Sequence, residues 1–131
     1  VSPQNIFLRR EEAESNDGDI IHTCALGDFG HSYILSRHEE SRSSVADQGT
    51  NFVAPEVETG SVSTMESDVY SAGKILEEML NMSEGFKEQI QKEPRPVVRN
   101  LRALSAQMCQ ERPVMRPTSN KVCQILERLM K

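Results

Sequence analysis

In the stretch LGDFGHSY, Leu26 to Tyr33, a single carboxylate, Asp28, stands immediately before Phe29 and Gly30. A carboxylate offers oxygen ligands to a hard metal ion. The same tripeptide also makes an ordinary turn after a strand, because aspartate and glycine both favour one. Taken alone, the three residues do not separate these readings. Other metal-ligating types offer no competing site. His22, His31 and His38 lack metal-site spacing, and Cys24, Cys109 and Cys123 are an odd set without CxxC spacing, so neither a disulfide framework nor zinc is indicated. Those thiols are expected to be reduced and buried.

Elements on either side must position such a carboxylate. NIFLRR, from Asn5, reads as a short strand burying Ile6, Phe7 and Leu8, and IIHTCALGDF, from Ile20, reads as a second. The acidic connector EEAESNDGD is longer than the usual hairpin loop of about 2–5 residues, with Asp17-Gly18 as its turn, and reads as an exposed insertion. His31 to Gln48 is a polar, serine-bearing loop. In MESDVYSAGKILEEMLN, the residues Val69, Ala72, Ile75, Leu76, Met79 and Leu80 recur at helical spacing, and Ser63 with Glu66 fits a capping box. A weaker amphipathic piece covers Glu84 to Gln91 and ends at Pro94 and Pro96. Val98, Leu101, Leu104 and Met108 mark another helix, stopped before Pro113. Thr118 or Ser119 caps the last, whose stripe is Val122, Ile125, Leu126, Leu129 and Met130.

A chain of 131 residues is one domain or part of one. With 37% hydrophobic, 27% charged and only 5% aromatic residues, it fits a polar, mostly helical chain better than a β-sandwich. The net charge of −5 argues against nucleic acid as a partner, since phosphate-backbone affinity needs clustered Lys and Arg. No apolar run reaches membrane-spanning length and no signal-peptide pattern opens the chain, which makes cytoplasm or nucleus the default location.

Order and spacing decide what the tripeptide could not. VSPQNIFL precedes it, and GTNFVAPEV, SDVYSAGKILEEML and RPVMRPT follow it. Together these blocks resemble the C-terminal lobe of a eukaryotic-type (Hanks-type) protein kinase, over essentially the whole chain. The resemblance implies an α+β fold: a mainly helical lobe with a short N-terminal β-hairpin, divided into the end of the catalytic loop and a strand (1–8), an activation segment (28–56) and a helical subdomain (65–131).

It also implies roles for residues. Asn5 matches the asparagine that holds magnesium, and Asp28 the aspartate that meets Mg²⁺ bridging the nucleotide phosphates. A hard cation of this kind wants oxygen ligands. Phe7 matches the floor of the adenine pocket, supported by Ile75 and Met79. Phe29 sets active or inactive geometry and Gly30 gives the backbone room to flip. Ser41, Ser43 and Ser44 are candidate phosphoacceptors in the activation segment. Thr50 resembles the threonine that contacts the catalytic aspartate in serine/threonine kinases. Glu56 and Arg116 match a buried architectural salt bridge, and Asp68 an aspartate that accepts backbone N–H bonds from the catalytic loop.

Departures accompany the match. The catalytic aspartate is expected just before Val1, and no glycine-rich loop, strand lysine or HRD is present. Ser2 stands where a phosphate-reaching lysine is usual and brings no positive charge. GTNFVAPE is one residue shorter than the commonest family form, and 81–97 is abbreviated. The expectation is therefore a fragment of an ATP- and Mg²⁺-dependent kinase that phosphorylates serine or threonine of protein substrates, inactive as an isolated chain. The alternative is a pseudokinase or truncated lobe that binds regulatory protein partners without catalysis.

Overall fold

The computed structural model describes residues 1–12, 20–29, 51–85 and 96–129. A single 3-10 turn, Pro3–Asn5, leads into strand β1 (Ile6–Glu12), which pairs antiparallel with β2 (Ile20–Leu26). Ile6 lies opposite Leu26, Phe7 opposite Ala25 and Leu8 opposite Cys24. Helices α1 (Pro55–Glu58), α2 (Met65–Gly85), α3 (Pro96–Met108) and α4 (Ser119–Leu129) follow, with a second 3-10 turn at Pro113–Met115. The architecture is that of an N-terminal hairpin beside a helical body, the α+β arrangement that the resemblance implies.

Sequence periodicity builds the body. On α2, Val69 is buried together with Leu104 and Met108 of α3 and Val122 of α4, while Ala72, Leu76, Ile125 and Leu126 pack against them. Gly73 lets α2 and α3 approach: a Cβ there would lie 2.7 Å from Met108 Cβ and 2.8 Å from Cys109 Sγ. The buried hydroxyl of Ser105 crosses the same seam and donates to the Gly73 carbonyl at 3.0 Å. A helix glycine costs about 1 kcal/mol relative to alanine, which the close packing must outweigh.

Helix ends explain themselves locally. The capping pair of α2 is Thr64 and Ser67, one residue beyond the expected Ser63 and Glu66. Thr64 N–H donates to Ser67 Oγ at 2.7 Å and Ser67 N–H to Thr64 Oγ1 at 3.4 Å, so two short hydroxyl side chains form the reciprocal box that a glutamate usually completes. Thr118 caps α4, accepting from Lys121 N–H at 3.3 Å. Pro96 and Pro55 occupy the first turns of α3 and α1, where the missing N–H costs nothing.

Several expectations need correction. Phe7 and Leu8 are 58% and 76% exposed and Ile6 is only partly buried, because the two strands pack chiefly on each other and no described helix covers them. Strand β2 stops at Leu26 rather than continuing through Asp28, whose φ of +56° leaves extended backbone. Met79 is exposed, not core, since the α3 and α4 side of α2 is taken by Val69, Ala72 and Leu76. The cysteines are free as expected but not buried: Cys24 and Cys123 are exposed, on the hairpin and on the outer side of α4, and Cys109 is half-buried. The expected piece at 84–91 contributes only Glu84 and Gly85, both at the end of α2, and residues 86–91 lie outside the described residues. So do Met130 and the connector residues 13–19.

Candidate active site

The hairpin register assembles the first part of the site. With Ile6 opposite Leu26, the next step along the ladder sets Gly27 beside Asn5, and Gly27 N–H donates to the Asn5 carbonyl at 2.9 Å. Asn5 N–H in turn donates to the Ser2 carbonyl at 3.1 Å, closing the 3-10 turn. Asp28 therefore follows directly on the residue bonded to Asn5. Its φ of +56° is the left-handed conformation that aspartate tolerates better than bulkier residues, and its side chain is exposed. Phe29, 65% exposed, comes next.

Chemically, this end of the hairpin offers a carboxylate and a side-chain amide, both oxygen donors. Such a pair fits magnesium, which binds through one or two carboxylates and completes its shell with phosphate and water oxygens. Among the described residues there is no group of three or more His, Cys, Asp or Glu that could hold a metal ion by itself. The donor set thus suits a cation shared with a phosphate ligand rather than one caged by protein.

Phe7 sits against the same end. A Cβ on Gly27 would come within 2.5 Å of Phe7 Cε2, so the phenyl ring occupies the space a side chain at Gly27 would need. Ile75 and Met79 line an open cleft of 360 Å³ with Ser2, Pro3, Phe52 and Met82, where α2 meets the 3-10 turn preceding β1.

The second part of the site is a polar knot built on Arg116. Arg116 has a fully buried side chain, and all five of its donors are used. Nη1 donates to Glu56 Oε1 at 2.6 Å and to the Glu66 carbonyl at 3.1 Å. Nη2 donates to Glu56 Oε2 at 2.8 Å and to the Glu111 carbonyl at 3.0 Å, and Nε donates to the Gln110 carbonyl at 2.7 Å. One guanidinium so joins α1, the start of α2 and the turn after α3. Its carbon lies 4.9 Å from the centre of the Tyr70 ring, adding a cation–π contact. The Arg116 hydrogen bonds hold the Glu56 carboxyl below its ordinary value, against the opposing effect of burial. Burial raises the Tyr70 hydroxyl and the Cys109 thiol. The Glu77 carboxylate, bonded to Lys74, raises that ammonium.

Between these parts runs 51–54. Ala54 is 1% exposed and its carbonyl accepts from Val57 and Glu58 N–H, starting α1. Ser71 Oγ, buried on α2, donates to the Phe52 carbonyl at 2.7 Å. Sequence reading passed over Ser71, since a serine inside a helix carries no motif; the signal was its place on the inward side of α2, one turn from Ser67. The four-residue α1 was missed as well, although Pro55 followed by Glu56 and Glu58 is the pattern of a helix start.

Asp68, exposed at the start of α2, has Oδ1 3.8 Å from the Val1 nitrogen, beyond hydrogen-bond length. Gly30, Ser41, Ser43, Ser44 and Thr50 lie outside the described residues, as do His31 and His38. No helix among the described residues is long and apolar enough to cross a membrane.

The family model of the protein kinase domain covers residues 1–131, the full length of the chain. No curated protein matches it.

Proposed function

The chain belongs to the protein kinase domain family, and from that premise we propose that it forms the C-terminal-lobe portion of an ATP- and Mg²⁺-dependent kinase that phosphorylates serine or threonine in protein substrates. The single observation that carries this reading is the hairpin end, where a 2.9 Å backbone bond joins Asn5 to the residue preceding Asp28. In this reading Asn5 and Asp28 bind the cation through their oxygens and orient the nucleotide phosphates. Magnesium, when bound, neutralises charge on those phosphates. Phe7, beside Gly27, offers apolar surface to the base. Residues 1–8 are the end of a catalytic loop with its strand, 28–56 an activation segment and 65–131 a helical subdomain. Phe29 and Gly30 set the geometry of that segment, with Thr50 near the catalytic aspartate and Ser41, Ser43 and Ser44 as phosphoacceptors. Glu56, Asp68 and Arg116 hold the scaffold.

The 131 residues alone are proposed not to transfer phosphate, because neither a catalytic aspartate in HRD context nor a glycine-rich loop is among them. The second reading, a non-catalytic module that binds regulatory proteins, is favoured by Ser2, which supplies no cation where the transferred phosphate needs one. The test uses the full encoded polypeptide, incubated with ATP labelled in the γ-phosphate, Mg²⁺ and a mixed protein substrate, followed by phosphoamino-acid analysis. Label in phosphoserine or phosphothreonine is expected. Label confined to phosphotyrosine refutes the specificity, and no label with competent cofactor supports the non-catalytic reading.

A further inference from the structure

The segment 52–54 is held at both of its ends by different means. On the C-terminal side, Glu56 is gripped by the buried Arg116, which fixes where α1 starts. On the N-terminal side, the tie to the body is the Ser71 hydroxyl, which donates to the Phe52 carbonyl at 2.7 Å across a separation of 19 residues. Ser71 is 6% exposed, so water has little access to its hydroxyl, while the Phe52 end of the bond is partly buried. Its oxygen also lies 3.1 Å from the Ser67 carbonyl, the bond a helix serine makes when it turns back on its own helix. The hydroxyl has one proton and two carbonyls in reach. The shorter distance is to the segment, not to the helix.

We propose that Ser71 is a positioning residue: its hydroxyl latches the 52–54 segment onto α2, and so sets the register in which that segment meets a protein substrate. The substrate part rests on the functional reading given above and extends it, taking the end of the proposed activation segment (28–56) as the surface that the phosphorylated protein meets; the latch itself does not rest on it. A latch of this design acts on the segment without touching the reacting atoms. Losing it frees Phe52 and Val53 while the Arg116 knot still holds Glu56, so the change is local. Ser105 supplies the comparison. The residue is 4% exposed against 6% for Ser71, and its hydroxyl makes a buried bond of 3.0 Å to the Gly73 carbonyl, within the helical seam.

The experiment compares Ser71→Ala, Ser71→Thr and Ser105→Ala in the full encoded polypeptide. Amide hydrogen exchange is followed by mass spectrometry, and initial rates are measured with protein substrate and ATP varied separately. Ser71→Ala is expected to speed exchange over 51–54 by about tenfold, the size of one lost buried hydrogen bond, with the rest of the molecule unchanged. Ser71→Thr, which keeps the hydroxyl, is expected to restore slow exchange, and Ser105→Ala to loosen α2 and α3 instead. KM for the protein substrate should rise in Ser71→Ala, with KM for ATP unmoved. Unchanged exchange at 51–54, or the same uniform loosening in both alanine variants, overturns the latch. Faster exchange with an unmoved protein-substrate KM overturns its role toward substrate. If the unsubstituted protein transfers no phosphate, the functional reading and the substrate role fall together, and the exchange result still decides the latch.

Discussion

A buried guanidinium with all five donors engaged cannot lose its carboxylate partner without stranding charge. Removing one member of such a pair typically costs about 3–5 kcal/mol, far more than an exposed pair contributes. Arg116→Ala is therefore expected to lower unfolding stability by about that amount, because it abandons Glu56 and three backbone carbonyls at once. Urea denaturation checks this, and a loss below about 1 kcal/mol, the surface-pair range, contradicts it. The pair also predicts an acid limb. Because the folded Glu56 carboxyl titrates below the ordinary 4.5, its contribution is complete above that pH and disappears as pH falls through the depressed value. Melting temperature between neutral pH and pH 3 is expected to fall more steeply in the unsubstituted protein than in Glu56→Gln. Parallel profiles would show that the pair contributes nothing through this carboxyl.

Helices α2, α3 and α4 were legible because their apolar residues recur at helical spacing, and α2 and α4 begin at short hydroxyl residues. Val69, Leu104, Met108 and Val122, each read from a stripe, meet in one core. The box of α2 shifted by one residue because Ser67 can answer Thr64 as well as Glu66 could answer Ser63. Burial in the hairpin was not legible: alternation gives a strand its faces, but whether anything covers them depends on tertiary neighbours. The Gly27-to-Asn5 backbone bond, which sets Asp28 next in line, follows from the two strands read in the sequence, whereas the Ser71 bond depends on a long-range carbonyl that no local pattern announces. Gly73 gives a test at this scale. Gly73→Ala gains about 1 kcal/mol of helix propensity but drives a methyl into Met108 and Cys109. Overpacking of this kind costs about 1–3 kcal/mol, and the seam is built partly from backbone, so net destabilisation is expected on chemical denaturation. A stabilised variant would show that α2 and α3 can separate freely.

At the scale of the whole molecule, the helical body is internally satisfied while apolar residues stay open at the hairpin and cleft. Phe7, Leu8, Leu26, Phe29, Met79 and Met82 are each more than half exposed. Large apolar side chains left open to water promote association. A chain of these 131 residues is expected to show concentration-dependent self-association by light scattering, reduced by Leu8→Ser with Met82→Ser; a monomer at all concentrations contradicts this. The central claim is that the hairpin end holds the cation and phosphates for transfer to protein. Its most direct test is the rate of γ-phosphoryl transfer by the full encoded polypeptide with and without Asp28→Ala, both checked for equal folding by circular dichroism. The account predicts a fall of about a hundredfold or more, the scale of losing one charge-stabilising group. Equal rates in the two proteins would contradict it.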